Sequence, residues 1–230
     1  MAVQDDKRER QMRDRFNLKV DEGRKRDGID AYLKIDNRIV NFELKSTTSG
    51  SVSTVRDFGA EHIKKWRDLH WIIAVYDKRG EDIIQCHYAS PRDMLPWIEK
   101  KRQYVLPDLI LGKDIPGFVS PEMIKSIFDG KSEPFSYKDA KWLMKNQWSR
   151  DRYLAEADMG RGYSLMKMTE ILEERCSYLM ARGSTLNNPH IEKSFVAKLP
   201  LLDEEEPAHD LRELVRNYFA TAAETDEATA

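Results

Sequence analysis

The sequence contains few of the residues that bind zinc, form disulfides or span membranes. Of its 230 residues, two are cysteines and five are histidines. Cys86 and Cys176 are far apart and the histidines are dispersed, so neither residue type gives the spacing of a zinc site. This sparse use of cysteine is typical of a reducing compartment. No apolar run is long enough for a transmembrane helix or a signal peptide. We therefore expect a soluble, cytoplasmic protein.

Two common catalytic signatures are missing as well. The chain has neither a glycine-rich phosphate loop nor a Gly-x-Ser-x-Gly nucleophile elbow. Its 40% of hydrophobic residues can form a substantial core, while 34% of charged residues indicate a very polar surface. The net charge of −2 is unevenly spread, because nine acids and two bases give residues 203–230 a charge of −7. Residues 1–202 therefore carry +5, a modestly basic charge that is compatible with phosphate contacts.

Residues 29–45 alternate between apolar and polar side chains, which predicts two β-strands. Asp36-Asn37 between them suits a two-residue turn, because both residues tolerate left-handed backbone conformations. With that turn Asp30 lies opposite Glu43, and Lys45 follows on the same face. A three-residue loop would give a different register. The other face carries an apolar row: Ile29, Ala31, Leu33, Ile35, Val40, Phe42 and Leu44.

The polar face of this hairpin has the composition of a metal site. Carboxylates on directly opposite residues, with Cβ atoms roughly 4.5–5.5 Å apart, repel each other unless a cation lies between them. Mg²⁺ prefers such oxygen ligands, polarises a phosphate oxygen and lowers the pKa of a bound water. A lysine beside it can orient that water or stabilise developing charge.

The alternative is an ordinary solvent-exposed hairpin face, since short acid-x-Lys triplets are common in a charged chain. Only Glu43-Leu44-Lys45 lies at the end of an alternating strand and has an acidic residue opposite it on the neighbouring strand. The other four triplets start at Asp5, Glu99, Asp129 and Asp139.

Asp30 and Glu43-Leu44-Lys45, followed by a predicted helix and a buried strand, resemble the PD-(D/E)XK nuclease superfamily, and type II restriction endonucleases in particular. The resemblance covers about the first 90 residues, with Ile29 in place of the family's usual proline. It implies catalytic roles for Asp30, Glu43 and Lys45, with Asp30, Glu43 and Leu44 as metal ligands. The implied activity is Mg²⁺-dependent hydrolysis of double-stranded DNA to 5′-phosphate and 3′-hydroxyl ends, with Mn²⁺ able to substitute.

Several further residues are candidates for supporting roles. Glu9, in a predicted helix over residues 4–17, or Glu22 could add a third carboxylate; the alternative is that both are solvated surface charges. Amphipathic spacing predicts a helix over residues 55–69 that packs Val55, Phe58, Ile63, Trp66 and Leu69 on the sheet. The predicted DNA contacts comprise polar residues of loop 46–54, one lysine of that helix, and bases interleaved with aromatic residues in 137–163. They are Ser46, Thr47, Thr48, Ser53, Lys65, Lys138, Lys141, Lys145, Arg150 and Arg152.

Both of these DNA-binding interpretations have alternatives, namely an ordinary linker for the loop and a helical subdomain with core tryptophans for 137–163.

Strands over 71–76 and 83–88 complete a predicted α/β (α+β) core with a mixed sheet flanked by helices. Helices are predicted from Ser90-Pro91 to about Arg102, over 120–130, from Ser136, and over 164–182.

We divide the chain into a catalytic core (1–105), a helical region for DNA recognition or dimerisation (106–202) and an acidic C-terminal tail (203–230). Reading a duplex palindrome would require a homodimer. A repair or recombination nuclease on the same core, or a non-catalytic DNA-binding module, are the alternatives.

Overall fold

The computed structural model describes residues 2–21, 23, 28–54, 59–183 and 189–227. The predicted hairpin forms from β1 (Ala31–Ile35) and β2 (Arg38–Thr47), and its register is the predicted one, from Ala31 opposite Phe42 to Ile35 opposite Arg38. Asp36 and Asn37 make the turn with φ of 46° and 63°. These left-handed values match the twist of a two-residue hairpin, which explains why Asp and Asn occur there.

The sheet has the strand order β1-β2-β4-β5. Strand β4 (His70–Tyr76) runs parallel to β2, and β5 (Ile83–Ala89) runs antiparallel to β4. Parallel neighbours need a crossover connection, and the chain provides it with helix α2 (Ala60–Arg67). The predicted α+β fold with a mixed sheet is therefore confirmed.

One face of the sheet packs against two helices from opposite ends of the chain. Helix α1 (Ala2–Phe16) contributes Met12 and Phe16, while α9 (Pro207–Glu227) contributes Leu211 and Val215. The predicted apolar row of the hairpin, except Ile29, lies in this cluster. Each fully buried side chain of this kind stabilises the fold by roughly 1.5–3 kcal/mol, so a register slip that exposed the row would be strongly unfavourable.

Three tryptophans cover part of the opposite face. Trp66 of α2, Trp71 of β4 and Trp97 of α3 (Pro91–Asp114) are mutually in contact, with ring centroids 5.1–6.3 Å apart. A small second sheet pairs β3 (Val52–Ser53) with β6 (His190–Ile191). The short helix α8 (Lys193–Val196) follows.

Residues 104–187 form a separate compact unit, and residues 1–103 and 188–230 form the other. Among its described residues, the helical unit contains the end of helix α3, a 3₁₀ turn and four further helices, with Phe135, Tyr153 and Ile171 buried between them. Ser136 and Asp139 form a capping box at the start of the second of these four helices, as the sequence there favours. The elements are the turn Ile115–Phe118, α4 (Pro121–Ile127), α5 (Tyr137–Leu143), α6 (Arg150–Ala155) and α7 (Leu165–Gly183).

The structure differs from the predicted organisation in three places. Helix α3 continues to Asp114 instead of ending near Arg102, because Pro107 removes one backbone hydrogen bond without preventing continuation of the helix. Helix α2 begins at Ala60, and the predicted residues Val55 and Phe58 lie outside the described residues.

The third difference concerns the acidic segment 203–230, which is not a separate tail. Its helix α9 buries Leu211 and Val215 in the core, and residues 188–202, predicted as helical region, also belong to the sheet-containing unit. Within the described ranges, no helix combines the length and the apolar character needed to cross a membrane.

Candidate active site

The hairpin places its charged residues on the sheet face opposite the α1 and α9 core. Phe42 and Leu44 point into that core, so the alternation of the strand directs Glu43 and Lys45 to the other side. Glu43 is nevertheless only 3% exposed, and Asp30, directly before β1, is 8% exposed. Charged groups buried to this degree need compensating partners.

Glu43 has two lysines as partners. Lys45 Nζ donates a 2.6 Å hydrogen bond to Glu43 Oε1. Lys65 Nζ, from helix α2, lies 3.6 Å from Glu43 Oε2 and donates a 2.8 Å hydrogen bond to the carbonyl oxygen of Gly28. Lys65 therefore links the crossover helix, the start of the hairpin and the central carboxylate.

Asp30 is held by the main chain of the neighbouring strand. The ladder ends at the pair Ala31–Phe42, and Asp30 Oδ2 accepts a 2.9 Å hydrogen bond from the amide N–H of Leu44. Leu44 thus contacts the site through its backbone while its side chain stays in the core. Burial and the nearby Glu43 carboxylate raise the pKa of Asp30 to about 6, against the opposing influence of Lys45.

The electrostatics of Glu43 and Lys45 differ from those of Asp30. Burial by itself raises the pKa of Glu43, but Lys45 and Lys65 outweigh it, so the pKa lies below its usual value. Burial lowers the pKa of Lys45, but Glu43 and Asp30 outweigh that effect and raise it. Glu43 is therefore ionised at neutral pH, Lys45 is cationic, and Asp30 is the group that exchanges a proton most readily.

A further carboxylate acts on this pair electrostatically. Glu9, on helix α1, is close enough to raise the pKa of Asp30 and that of Lys45. It also pairs with Arg13 at 3.8 Å. Glu22, the other predicted candidate, lies outside the described residues.

The donor set is suited to a hard divalent cation with few protein ligands. Glu43 Oε2 is buried and has no hydrogen-bond partner among the described residues. Two carboxylates, completed by water and substrate oxygens, are a common arrangement for Mg²⁺. Within the same residues, no cluster of three or more His, Cys, Asp or Glu side chains could hold a metal ion. Glu43 and Asp30 are therefore the residues that could hold Mg²⁺ here.

The polar loop after β2 is more ordered than its composition suggests. Thr47 is buried, and its hydroxyl donates to Ser51 O at 2.7 Å and accepts the N–H groups of Ser49 and Gly50, each at 3.1 Å. Thr47 therefore organises the loop and has no hydroxyl capacity left for DNA. Of the other predicted loop contacts, Ser46 is half-buried, and Thr48 and Ser53 are exposed.

The five predicted basic contacts in the helical unit are all exposed: Lys138, Lys141, Lys145, Arg150 and Arg152. Lys145 lies over the half-exposed Trp142 ring, and Arg152 over Trp148, each 4.1 Å from the ring centroid. Arg152 also pairs with Glu174, which reduces its availability for phosphate. DNA contact by this unit remains a prediction.

The sequence predicts Lys65 as a DNA contact, which stays a prediction, but it does not predict the contact of Lys65 with Glu43. The position of Lys65 in the sequence could have indicated this contact. It lies in the crossover helix after β2, which returns the chain across the sheet face that carries Glu43. Comparison of the sequence with protein-family models gives no match, and comparison with curated proteins gives none either.

Proposed function

We propose that this protein is a Mg²⁺-dependent endonuclease that hydrolyses phosphodiester bonds of double-stranded DNA, and more specifically a type II restriction endonuclease. The observation that carries the proposal is the arrangement around Glu43: a buried carboxylate bonded to Lys45 at 2.6 Å, beside a second carboxyl group with a pKa near 6. Perturbed carboxyl groups with a dedicated lysine are typical of catalytic sites.

In this proposal Asp30 and Glu43 hold the metal. The backbone N–H of Leu44 holds the Asp30 carboxylate in place. When bound, Mg²⁺ supplies polarisation of the scissile phosphate and acidification of a water. Lys45 keeps its proton and stabilises negative charge on the phosphoryl oxygens. Lys65 holds Glu43 ionised and fixes it against Gly28. Mn²⁺, which accepts the same oxygen ligands, substitutes for Mg²⁺.

The remaining parts of the proposal concern substrate and assembly. The +5 charge of residues 1–202 supports DNA as the polyanionic substrate. Residues 104–187 form a unit of their own, large enough for sequence readout or for the contacts of a homodimer. The two free cysteines support a cytoplasmic location.

Cleavage of plasmid and phage DNA tests the proposal. The wild type is incubated with Mg²⁺, Mn²⁺ or EDTA beside Glu43→Gln and Lys45→Ala. Glu99-Lys100-Lys101 offers a matched control, because it repeats the Glu-x-Lys pattern on a half-buried face of helix α3, away from the candidate active site. Glu99→Gln and Lys101→Ala should cleave like the wild type, whereas the two site variants should lose at least 100-fold in rate.

Discrete fragments made only by the wild type and the controls would support a restriction enzyme. A smear that depends on Glu43 would indicate a nuclease without sequence specificity, such as a repair or recombination enzyme. If no form cleaves plasmid, phage or modified DNA, the catalytic proposal is wrong and a DNA-binding module becomes the better description.

A further inference from the structure

A cleft of about 310 Å³ opens on the same sheet face as Glu43 and Lys45. It lies where β2 and β4 end and β5 begins, and α8 forms one of its walls. In the sheet register Lys45 is aligned with Ile73 and His87, and Thr47 with Val75 and Gln85. Neighbouring strands are about 4.8 Å apart, so this wall of the cleft lies about 10 Å from the strand that carries the candidate active site.

The side-chain amide of Gln85 lies on one wall of the cleft, and hydrogen bonds through His87 hold it in one orientation. His87 Nδ1 lies 3.2 Å from the carbonyl oxygen of Leu199, which can only accept, so Nδ1 carries the proton of the neutral ring. His87 Nε2 is then an acceptor, and Gln85 Nε2 donates to it at 3.1 Å. This chain of bonds sets the orientation of the Gln85 amide. Its Oε1 and its second N–H make no hydrogen bond to the described residues.

Two lysines make the cleft cationic. Lys78 and Lys193 line it, and none of the described residues that line it is acidic. The stem of Lys193 packs on Gly50, where a Cβ atom would lie 3.1 Å from Lys193 Cγ and Cδ. Gly50 also has φ +86°, which disfavours any other residue. The loop fixed by Thr47 thus supports Lys193 against the cleft.

The lining also has an apolar part, formed by Val75, Ile84 and Val196 among others, and two small hydroxyl residues, Thr48 and Ser49. An apolar surface, one oriented amide and two cations together match a flat heterocycle that carries a phosphate. The volume is at the lower end of the roughly 300–1,000 Å³ of small-molecule sites, so one nucleotide fits and a duplex does not.

We propose that this cleft binds a single nucleotide, with the base against the Gln85 amide and the phosphate held by Lys193 and Lys78. A glutamine amide with one free N–H and one free carbonyl pairs with the N7 and N6 edge of adenine, so the cleft prefers adenine. If the nucleotide belongs to the DNA substrate, it lies next to the scissile phosphate, and this part of the proposal rests on the proposed function. The nucleotide comes either from the substrate strand, with its base outside the helix, or from solution.

Binding in EDTA tests the cleft without requiring catalysis. Isothermal titration calorimetry with the 230-residue protein compares dAMP, dGMP, dCMP and dTMP. A second arm compares duplexes that contain one unpaired adenine, one unpaired cytosine or none. We expect at least a fivefold preference for dAMP, for the unpaired adenine, or for both, and these outcomes identify the source of the nucleotide.

Variants separate the base contact from the phosphate contact. Gln85→Leu should abolish the adenine preference, and Gln85→Glu should weaken adenine binding at least tenfold because it loses the donor and repels phosphate. Lys193→Ala should weaken all four nucleotides equally, while the exposed Lys198→Ala should leave affinities unchanged. Circular dichroism melts verify that each variant is folded; if Gln85→Leu is not, Gln85→Glu provides the test.

The proposal is overturned if neither mononucleotides nor unpaired bases bind with any base preference, or if both Gln85 variants retain the preference of the wild type. A protein that shows the preference but cleaves no DNA would refute the nuclease and leave the nucleotide cleft intact. A protein that cleaves DNA without the preference would refute the cleft alone.

Discussion

The ammonium group of Lys65 lies 3.6 Å from Oε2 of Glu43, so the helix after β2 gives this carboxylate a second cation beside Lys45. The carboxylate is 3% exposed, whereas the Lys65 side chain is 25% exposed. The two partners therefore differ in their contact with water. The contribution of this ion pair to stability depends on how many cations surround the buried Glu43 carboxylate.

Lys65→Met should destabilise the metal-free protein by about 2 kcal/mol, because it leaves a buried carboxylate with one cation instead of two. The figure is below that for a fully buried pair, since Lys65 is partly in contact with water. Urea unfolding in EDTA measures this loss, and 10 mM Mg²⁺ should reduce it because the metal replaces the missing charge. The neighbouring Lys64→Met is the control. Equal stability of Lys65→Met and the wild type in EDTA would contradict the prediction.

Asp30→Asn should stabilise the metal-free protein above pH 6 while it abolishes cleavage. The folded pKa of Asp30 is about 6, above the ordinary value of 3.8, so the folded state binds the proton more tightly than the unfolded state. Asp30 therefore costs stability as pH rises from about 4 to 6, on the order of 2–3 kcal/mol once fully ionised. Thermal melts of both forms in EDTA at pH 5 and pH 8 check this, and the advantage of the variant should be larger at pH 8.

His70 should make the protein sensitive to acid. Burial lowers the pKa of His70 to about 4 from 6.5, and its Nδ1 lies 2.7 Å from the Tyr88 hydroxyl. The folded state therefore excludes the proton, and its stability, complete above about pH 6.5, falls by about 3 kcal/mol as pH drops toward 4.

The variant His70→Asn isolates this effect. Asn cannot be protonated, and it keeps a polar atom near the position of Nδ1. The variant is less stable than the wild type at pH 7 because the buried imidazole ring is lost. It loses less stability than the wild type between pH 6.5 and 4 because no group at this position takes up a proton. Asp30 changes stability in the opposite direction over this range, so the difference between variant and wild type must be compared at each pH. Parallel pH profiles would contradict a titrating His70.

Leu211→Ala should destabilise the protein by about 2–5 kcal/mol, as is usual for a buried leucine. Leu211 of α9 is 0% exposed in the sheet core, whereas Leu201 is 57% exposed. Leu201→Ala is therefore the matched control and should change stability by less than about 1 kcal/mol. Chemical denaturation measures both variants. A small effect at Leu211 would contradict the packing of helix α9 in the sheet core.

The hairpin was predictable because its determinants are local. Alternation assigned Leu33 and Phe42 to the core, and Asp36-Asn37 fixed a two-residue turn and with it the register. The buried strand 71–76 and the capping box at Ser136 were also predictable, since apolar runs and caps depend on neighbouring residues. Helix α9 was not, because its packing partners on β2 and α1 are distant in sequence.

The sequence by itself determined the pairing register of the hairpin and the face on which Glu43 and Lys45 lie, because both follow from a period of two and a two-residue turn. Only the tertiary structure decided how strongly the site is charged. Burial and the proximity of Glu43 set the raised pKa of Asp30, and the crossover helix brings Lys65 to Glu43. The same holds for the cleft that contains Gln85, whose walls come from the loop after β2, from strands β4 and β5 and from helix α8. Such features arise from contacts between distant segments, which a linear pattern does not contain.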